Sequence, residues 1–83
     1  KGFSMRRLYW DFFGSRAAGT AEHFRIHLDG FIVDMNIEGC ETGLSDYTTA
    51  HSSAWCDAPE SACDLLVTRL RPHRAEKRRE EGQ

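Results

Sequence analysis

Residues 8–14, with the sequence LYWDFFG, constrain the fold most, because they hold four of the nine aromatic residues of the chain. Aromatic residues favour strands, since they pack well on a pleated and half-buried surface. The segment lies just ahead of the first long helical pattern, and Gly14 ends it. We therefore predict that it is the first strand of a sheet.

Alternation gives this strand two different faces. One face carries Leu8, Trp10 and Phe12, and the other carries Tyr9, Asp11 and Phe13. An unpaired buried carboxylate is costly, so the face with Asp11 is predicted to meet solvent or a partner. The alternative is that Tyr9 and Phe13 complete the core.

The composition is that of one ordinary globular domain. A chain of 83 residues has room for one hydrophobic core, and 40% of its residues are hydrophobic and 29% charged. No segment resembles a membrane span or a signal peptide, so a cytoplasmic protein is expected. The three cysteines form no CxxC pair, which indicates free thiols in a reducing compartment.

Charge is distributed unevenly along the chain. Residues 8–70 contain three basic and ten acidic side chains, whereas residues 1–7 and 71–83 are both net basic. Binding to a phosphate backbone depends on clustered Lys and Arg, so nucleic acid is not the expected partner. A weak contact of the basic C-terminal segment with an acidic partner or a nucleic acid is an alternative.

The sequence predicts three regions and an α+β fold. Residues 1–6 are expected to be a flexible leader or a remnant foreign to the native chain, residues 7–72 a single domain, and residues 73–83 a charged, disordered tail. Apolar residues recur with helical spacing over residues 16–36, with Ser15 as the expected N-cap. Gly19 and Gly30 within this pattern indicate either a close packing contact or a helix that starts nearer Thr20.

The second half of the chain predicts further strands and a second helix. Strands are expected over residues 45–49 and 51–56. Asp57 and Glu60 have the spacing of a capping box, and Arg71 before Pro72 is expected to end the helix. The result is a small two-layer sandwich of order β-α-β(-β)-α, with two helices on one face of a mostly antiparallel sheet.

Two features of the first helix are candidate functional sites. Ile26 and Val33 fall opposite the apolar side of the helix that is expected to face the core. They indicate a second buried surface, most simply a dimer contact. His23 and His27 stand four residues apart, a spacing that suits shared metal ligation, with Asp34 on the same edge. No cofactor is the first expectation, with zinc as the alternative.

A third candidate site lies on the sheet. If the strand at residues 51–56 neighbours the first strand, then His51, Ser53 and Trp55 meet the face with Tyr9, Asp11 and Phe13. An imidazole, a carboxylate and a hydroxyl together can perform acid and base catalysis. The same groups can bind a small polar ligand or form a dimer interface.

The runs YWDFFG, TAEHF and AWCDAPE give the chain a resemblance to short bacterial proteins of unassigned function, over residues 7–74. This resemblance implies no functional residue. The sequence as a whole predicts a small cytosolic interaction module rather than an enzyme, and this module is expected to form a homodimer through the open sheet face or an edge. It could also bind a protein or a small molecule. A metal-binding protein or a small enzyme, using His23 and His27 or Asp11 and His51, is the alternative.

Overall fold

The computed structural model describes residues 4–79, which form four strands and two helices. In chain order these are β1 (Ser4–Phe13), α1 (Ala17–Asp34), β2 (Glu41–Thr48), β3 (His51–Pro59), α2 (Glu60–Leu70) and β4 (Arg74–Arg79). The predicted α+β class is confirmed, and so is the predicted order of the first five elements. No helix of the described residues has the length and apolar character needed to cross a membrane.

The strands form one sheet of order β2-β3-β1-β4, in which every neighbouring pair is antiparallel. β1 and β3 are therefore central, and β2 and β4 are the edges. β1 and β2 run parallel on either side of β3, with α1 as the connection between them. This topology is the split βαβ arrangement, which is also called ferredoxin-like.

The hydrophobic core lies between the two helices and one face of the sheet. Leu8 and Trp10 of β1 are buried there together with Leu28 of α1 and Leu66 of α2. On β3 the residues of this face are small, namely Ala54, Cys56 and Ala58, and all three are fully buried. Small side chains in the middle of the sheet let both helices pack closely against it. The predicted core face of the first strand is thus confirmed.

Both ends of the described chain differ from the prediction. Residues 74–79, predicted to belong to a disordered tail, form β4 beside β1, with Arg74 opposite Tyr9. His73 leads into this strand, because its backbone N–H donates a hydrogen bond to the Tyr9 carbonyl over 2.8 Å. β1 begins at Ser4, inside the predicted flexible leader. Residues 1–3 and 80–83, also assigned to the leader and the tail, lie outside the described residues.

The predicted helix N-caps are also wrong. α1 follows Arg16, and α2 follows Pro59, and neither residue makes a side-chain capping hydrogen bond. Asp57 lies within β3 instead, where its carboxylate pairs with a guanidinium of β1. The predicted end of the second helix is correct, since α2 stops at Leu70. Its C-cap, Arg71, adopts a left-handed backbone conformation with φ of 53°.

Candidate functional site on the open face of the sheet

The sheet face that points away from the helices brings together the residues that the sequence analysis grouped as a candidate site. β1 pairs with β3 in a register that places Tyr9 opposite Trp55, Asp11 opposite Ser53 and Phe13 opposite His51. The condition on which this candidate site depends, that the two strands are neighbours, is therefore met. We call this surface the open face; its described side chains include Met5, Arg7, Tyr9, Asp11, Phe13, Glu41, Ser45, Tyr47, His51, Ser53, Trp55, Asp57, Arg74 and Glu76.

Asp11 is the centre of an ion network. Arg74 of β4 donates two hydrogen bonds to its carboxylate, from Nε over 2.8 Å and from Nη2 over 3.0 Å. Nε2 of His51 lies 3.1 Å from the same carboxylate, whose side chain is only 10% exposed. The hydrogen bonds from Arg74, and then that from His51, hold the pKa of Asp11 below its usual range. Asp11 is thus a fixed anion whose charge is already compensated.

Two aromatic rings hold the imidazole of His51, and one of them, that of Tyr47, is itself held by hydrogen bonds of its hydroxyl group. Phe13 stacks on it with a centroid distance of 4.4 Å, and Tyr47 tilts against it at 4.5 Å. The Tyr47 hydroxyl shares a hydrogen bond of 2.9 Å with Ser53 and accepts another, of 3.1 Å, from Nη2 of Arg74. The ring is therefore held on two sides while its side chain stays 28% exposed.

Arg7 forms a second cluster on the open face. Its Nε and Nη2 donate to the two carboxylate oxygens of Asp57 over 2.6 and 2.9 Å, and the pairing raises the already high pKa of the guanidinium. The same guanidinium lies 3.8 Å from the centroid of the Trp55 ring, which is a cation–π contact. The indole lies across Gly43 of β2, where the absence of a side chain gives it space.

Tyr9 lies on the open face as predicted, but β4 covers it. The guanidinium of Arg74 lies 3.9 Å from the centroid of its ring, and its hydroxyl donates to Glu76 over 2.7 Å. Only 8% of Tyr9 is exposed. Burial, and then the hydrogen bond to Glu76, raises the pKa of Tyr9. Tyr9 therefore holds Arg74 and Glu76 in place but is itself too buried to contact a partner.

The accessible part of the open face differs from the predicted set. Ser53 is fully buried, whereas Phe13 is 71% exposed and Tyr47 45% exposed. The set of site residues predicted from the sequence lacks Tyr47, Arg74, Arg7 and Glu76. Asp11 itself was a signal for a basic partner, because a carboxylate on a central strand requires a nearby cation. Five basic residues follow Pro72 or directly precede it, so the C-terminal segment was a possible source of that cation.

The other predicted site residues belong to a separate surface. Ile26 is 62% exposed and Val33 75% exposed, so both lie on the outward side of α1, as the helical pattern predicts. His23 and His27 contact each other on the same helix. Within residues 4–79 no three His, Cys, Asp or Glu side chains gather into a possible metal site, so Asp34 does not complete one.

This arrangement is better suited to presenting a fixed surface than to moving protons. Arg74 donates hydrogen bonds to both carboxylate oxygens of Asp11, so this carboxylate is not free to act as a base. The Ser53 hydroxyl, a possible nucleophile, is buried beneath the surface. What remains accessible is an ordered set of aromatic rings and guanidinium groups.

Comparisons with protein-family models, with curated proteins and with solved structures give no match. The ferredoxin-like topology does not by itself indicate a function, because one fold hosts many unrelated activities. The indications of function therefore lie in the open face and in the other surfaces of the molecule.

The Asp11 network predicts a pH-dependent contribution to stability. Because the folded pKa of Asp11 is lowered, the network stabilises the fold above the unfolded pKa of about 4, and this contribution is lost as the pH falls through the folded pKa. We expect Asp11→Asn to lower the free energy of unfolding by about 1–2 kcal/mol at pH 7. The difference from the wild type should shrink steadily below about pH 4.

Urea denaturation at pH 7, 5, 4 and 3 measures this difference. Asp64→Asn is the matched control, because Asp64 is an exposed residue of α2 and its removal should be nearly neutral at each pH. If the difference in unfolding free energy between Asp11→Asn and the wild type stayed constant down to pH 3, the pH dependence could not be assigned to the Asp11 network.

Proposed function

We propose that the protein is a small cytoplasmic interaction module that forms a homodimer through the open face. The supporting observation is the exposed pair Phe13 and Tyr47 beside the ordered network of Arg74, Asp11 and His51. Aromatic residues and arginine are enriched at the centres of protein interfaces. Side chains that are already ordered lose little entropy when they are buried by a partner.

A second copy of the chain is the partner that fits the charges best. The described part of the open face has two arginines and four carboxylates. Each arginine is already paired with an aspartate, Glu76 accepts a hydrogen bond from Tyr9, and Glu41 lies at the β2 edge. Two such faces can therefore meet without strong repulsion between like charges. A nucleic acid would instead require clustered cations that are free to contact phosphates.

The size of the molecule is compatible with this partner. Its extents are 43 × 29 × 17 Å, and the sheet is one of two layers. A face bounded by the two longer extents has room for the about 800 Å² per partner that a standard interface buries. In a two-fold arrangement the same surface serves both copies, so no second patch is required.

Two other modes of action have less support. Pairing of sheet edges is opposed at β4, whose RAEKRR sequence is strongly basic, because like charges on an edge strand discourage pairing with another copy. An enzyme that uses Asp11 and His51 would need a carboxylate free to assist the imidazole, and Arg74 holds that carboxylate.

Analytical ultracentrifugation over a concentration series tests the proposal. We expect a monomer–dimer equilibrium whose dissociation constant rises by about 30-fold or more in Phe13→Glu, because a buried interface aromatic contributes about 2 kcal/mol or more. Val33→Glu is the matched control: Val33 is as exposed as Phe13 but lies on α1. The dimer of Val33→Glu should have the same dissociation constant as the wild type.

The outcomes separate the candidate surfaces. Loss of the dimer in Val33→Glu with a normal Phe13→Glu would move the interface to the outward side of α1, where Ile26 also lies. A wild-type chain that is strictly monomeric at high micromolar concentration would refute self-association altogether.

A further inference from the structure

A second group of chemically active side chains lies on α1, away from the open face. His23 and His27 are one helical turn apart, so their rings meet on the same side of the helix. Their Nε2 atoms are 3.1 Å apart and their ring centroids 4.6 Å apart. Both residues are exposed, and the hydrogen bond between them is donated by whichever ring carries a proton on Nε2.

The separation of the two Nε2 atoms matches that of two ligands on one metal ion. With metal–imidazole bonds of about 2.0–2.1 Å, adjacent ligands lie about 2.9 Å apart in an octahedral site and about 3.4 Å apart in a tetrahedral site. The observed 3.1 Å falls between these values. Because α1 fixes both backbones, little rearrangement is needed to place both nitrogens on one ion.

The surroundings leave space for an ion and its other ligands. Gly19 and Gly30 lie toward either end of the same side of α1, and a Cβ at either position would meet no atom within 4 Å. The sequence predicts a close packing contact at these glycines or a later helix start. Neither is found, because α1 includes both glycines and no atom packs against them. A surface depression lined by Arg16, Gly19, Thr20 and His23 opens beside the pair.

We propose that His23 and His27 together bind one zinc ion. Imidazole nitrogen is a preferred zinc ligand, and the i, i+4 spacing lets one helix supply two of the required donors. Because no third His, Cys, Asp or Glu of residues 4–79 joins the pair, water or a ligand from another molecule fills the remaining positions. The site is therefore open, and it is independent of the proposed dimer interface.

Isothermal titration of the full chain with zinc chloride tests the site. We expect one ion per chain with a micromolar dissociation constant, and a loss of affinity of about tenfold or more in His23→Ala and in His27→Ala, since each leaves a single imidazole in place of a chelate. The matched control combines His27→Ala with Glu22→His. It keeps the number of histidines but places the two about 100° apart around the helix, so it should bind as weakly as His27→Ala.

The partly exposed thiol of Cys40 is an alternative zinc ligand. If His23 and His27 hold the ion, Cys40→Ser should leave the affinity for zinc unchanged. In NMR spectra of the wild type, zinc should shift the ring signals of His23 and His27 selectively, a readout that does not depend on any variant folding. Undetectable binding at millimolar zinc, or full affinity in His27→Ala, would overturn the proposal.

Discussion

Replacing Trp10 with alanine is expected to lower the free energy of unfolding by about 3–5 kcal/mol. Trp10 is 2% exposed, and the centroid of its ring lies 5.0 Å from the centroid of the Phe24 ring in α1. Its Nε1–H donates to the carbonyl of Leu70 at the end of α2 over 2.9 Å. One side chain thus joins β1 to both helices, and its removal creates a cavity and leaves that carbonyl without this donor. For a domain of this size, the loss approaches the whole stability.

Urea denaturation followed by circular dichroism measures this effect. Trp10→Phe should cost about 1–2 kcal/mol, because most of the packing stays while the hydrogen bond is lost. Trp55→Ala is the matched control, since it removes the same side chain from the opposite face of the sheet, where Trp55 is only half-buried. An equal or larger loss in Trp55→Ala would show that the helix-covered face does not dominate the stability.

The importance of Trp10 was predictable, and the reason is local. Alternation within residues 8–13 divides the side chains into two sets, and only one set contains a carboxylate. The energetic cost of burying Asp11 alone then decides which set faces the helices. The small residues of β3 follow the same logic, because their alternation with His51 and Trp55 requires no knowledge of other elements.

β4 could not be predicted in the same way, because its stability comes from its neighbour. Its sequence, RAEKRR, has no apolar face, and it exists as a strand because β1 supplies the backbone hydrogen bonds. Arg74 then reaches Asp11 and covers Tyr9. A partner 63 positions away in the chain leaves no periodic signal in the sequence. Asp11 could therefore be predicted as part of the candidate site, but its partner Arg74 could not.

The N-cap predictions failed for a related reason. Asp57 has the right spacing from Glu60 for a capping box, yet its carboxylate is engaged by Arg7, which register places directly opposite on β1. A two-point contact with a guanidinium is stronger than a hydrogen bond to a backbone N–H at a helix end. The strand therefore continues through Pro59, and the helix begins two residues later than the capping pattern indicates.

The second large effect is expected for Gly43→Ala, which should lower the free energy of unfolding by about 1–3 kcal/mol. A Cβ at this position would come within 2.7 Å of three carbons of the Trp55 ring. The ring would have to move, and the cation–π contact with Arg7 would be lost with it. Gly19→Ala is the matched control: a Cβ there meets no atom within 4 Å, so the change should stabilise α1 by about 0.5–1 kcal/mol.

A double-mutant cycle with Trp55→Ala identifies the cause, because removal of the indole removes the clash. In that background Gly43→Ala should become neutral or stabilising, since alanine loses less backbone entropy than glycine when a strand forms. The sign of the effect therefore reverses only if the ring lies over Gly43. A loss of more than 1 kcal/mol in both backgrounds would show that Gly43 is required by the backbone of β2, and that Trp55 is not held across the strand as part of the open face.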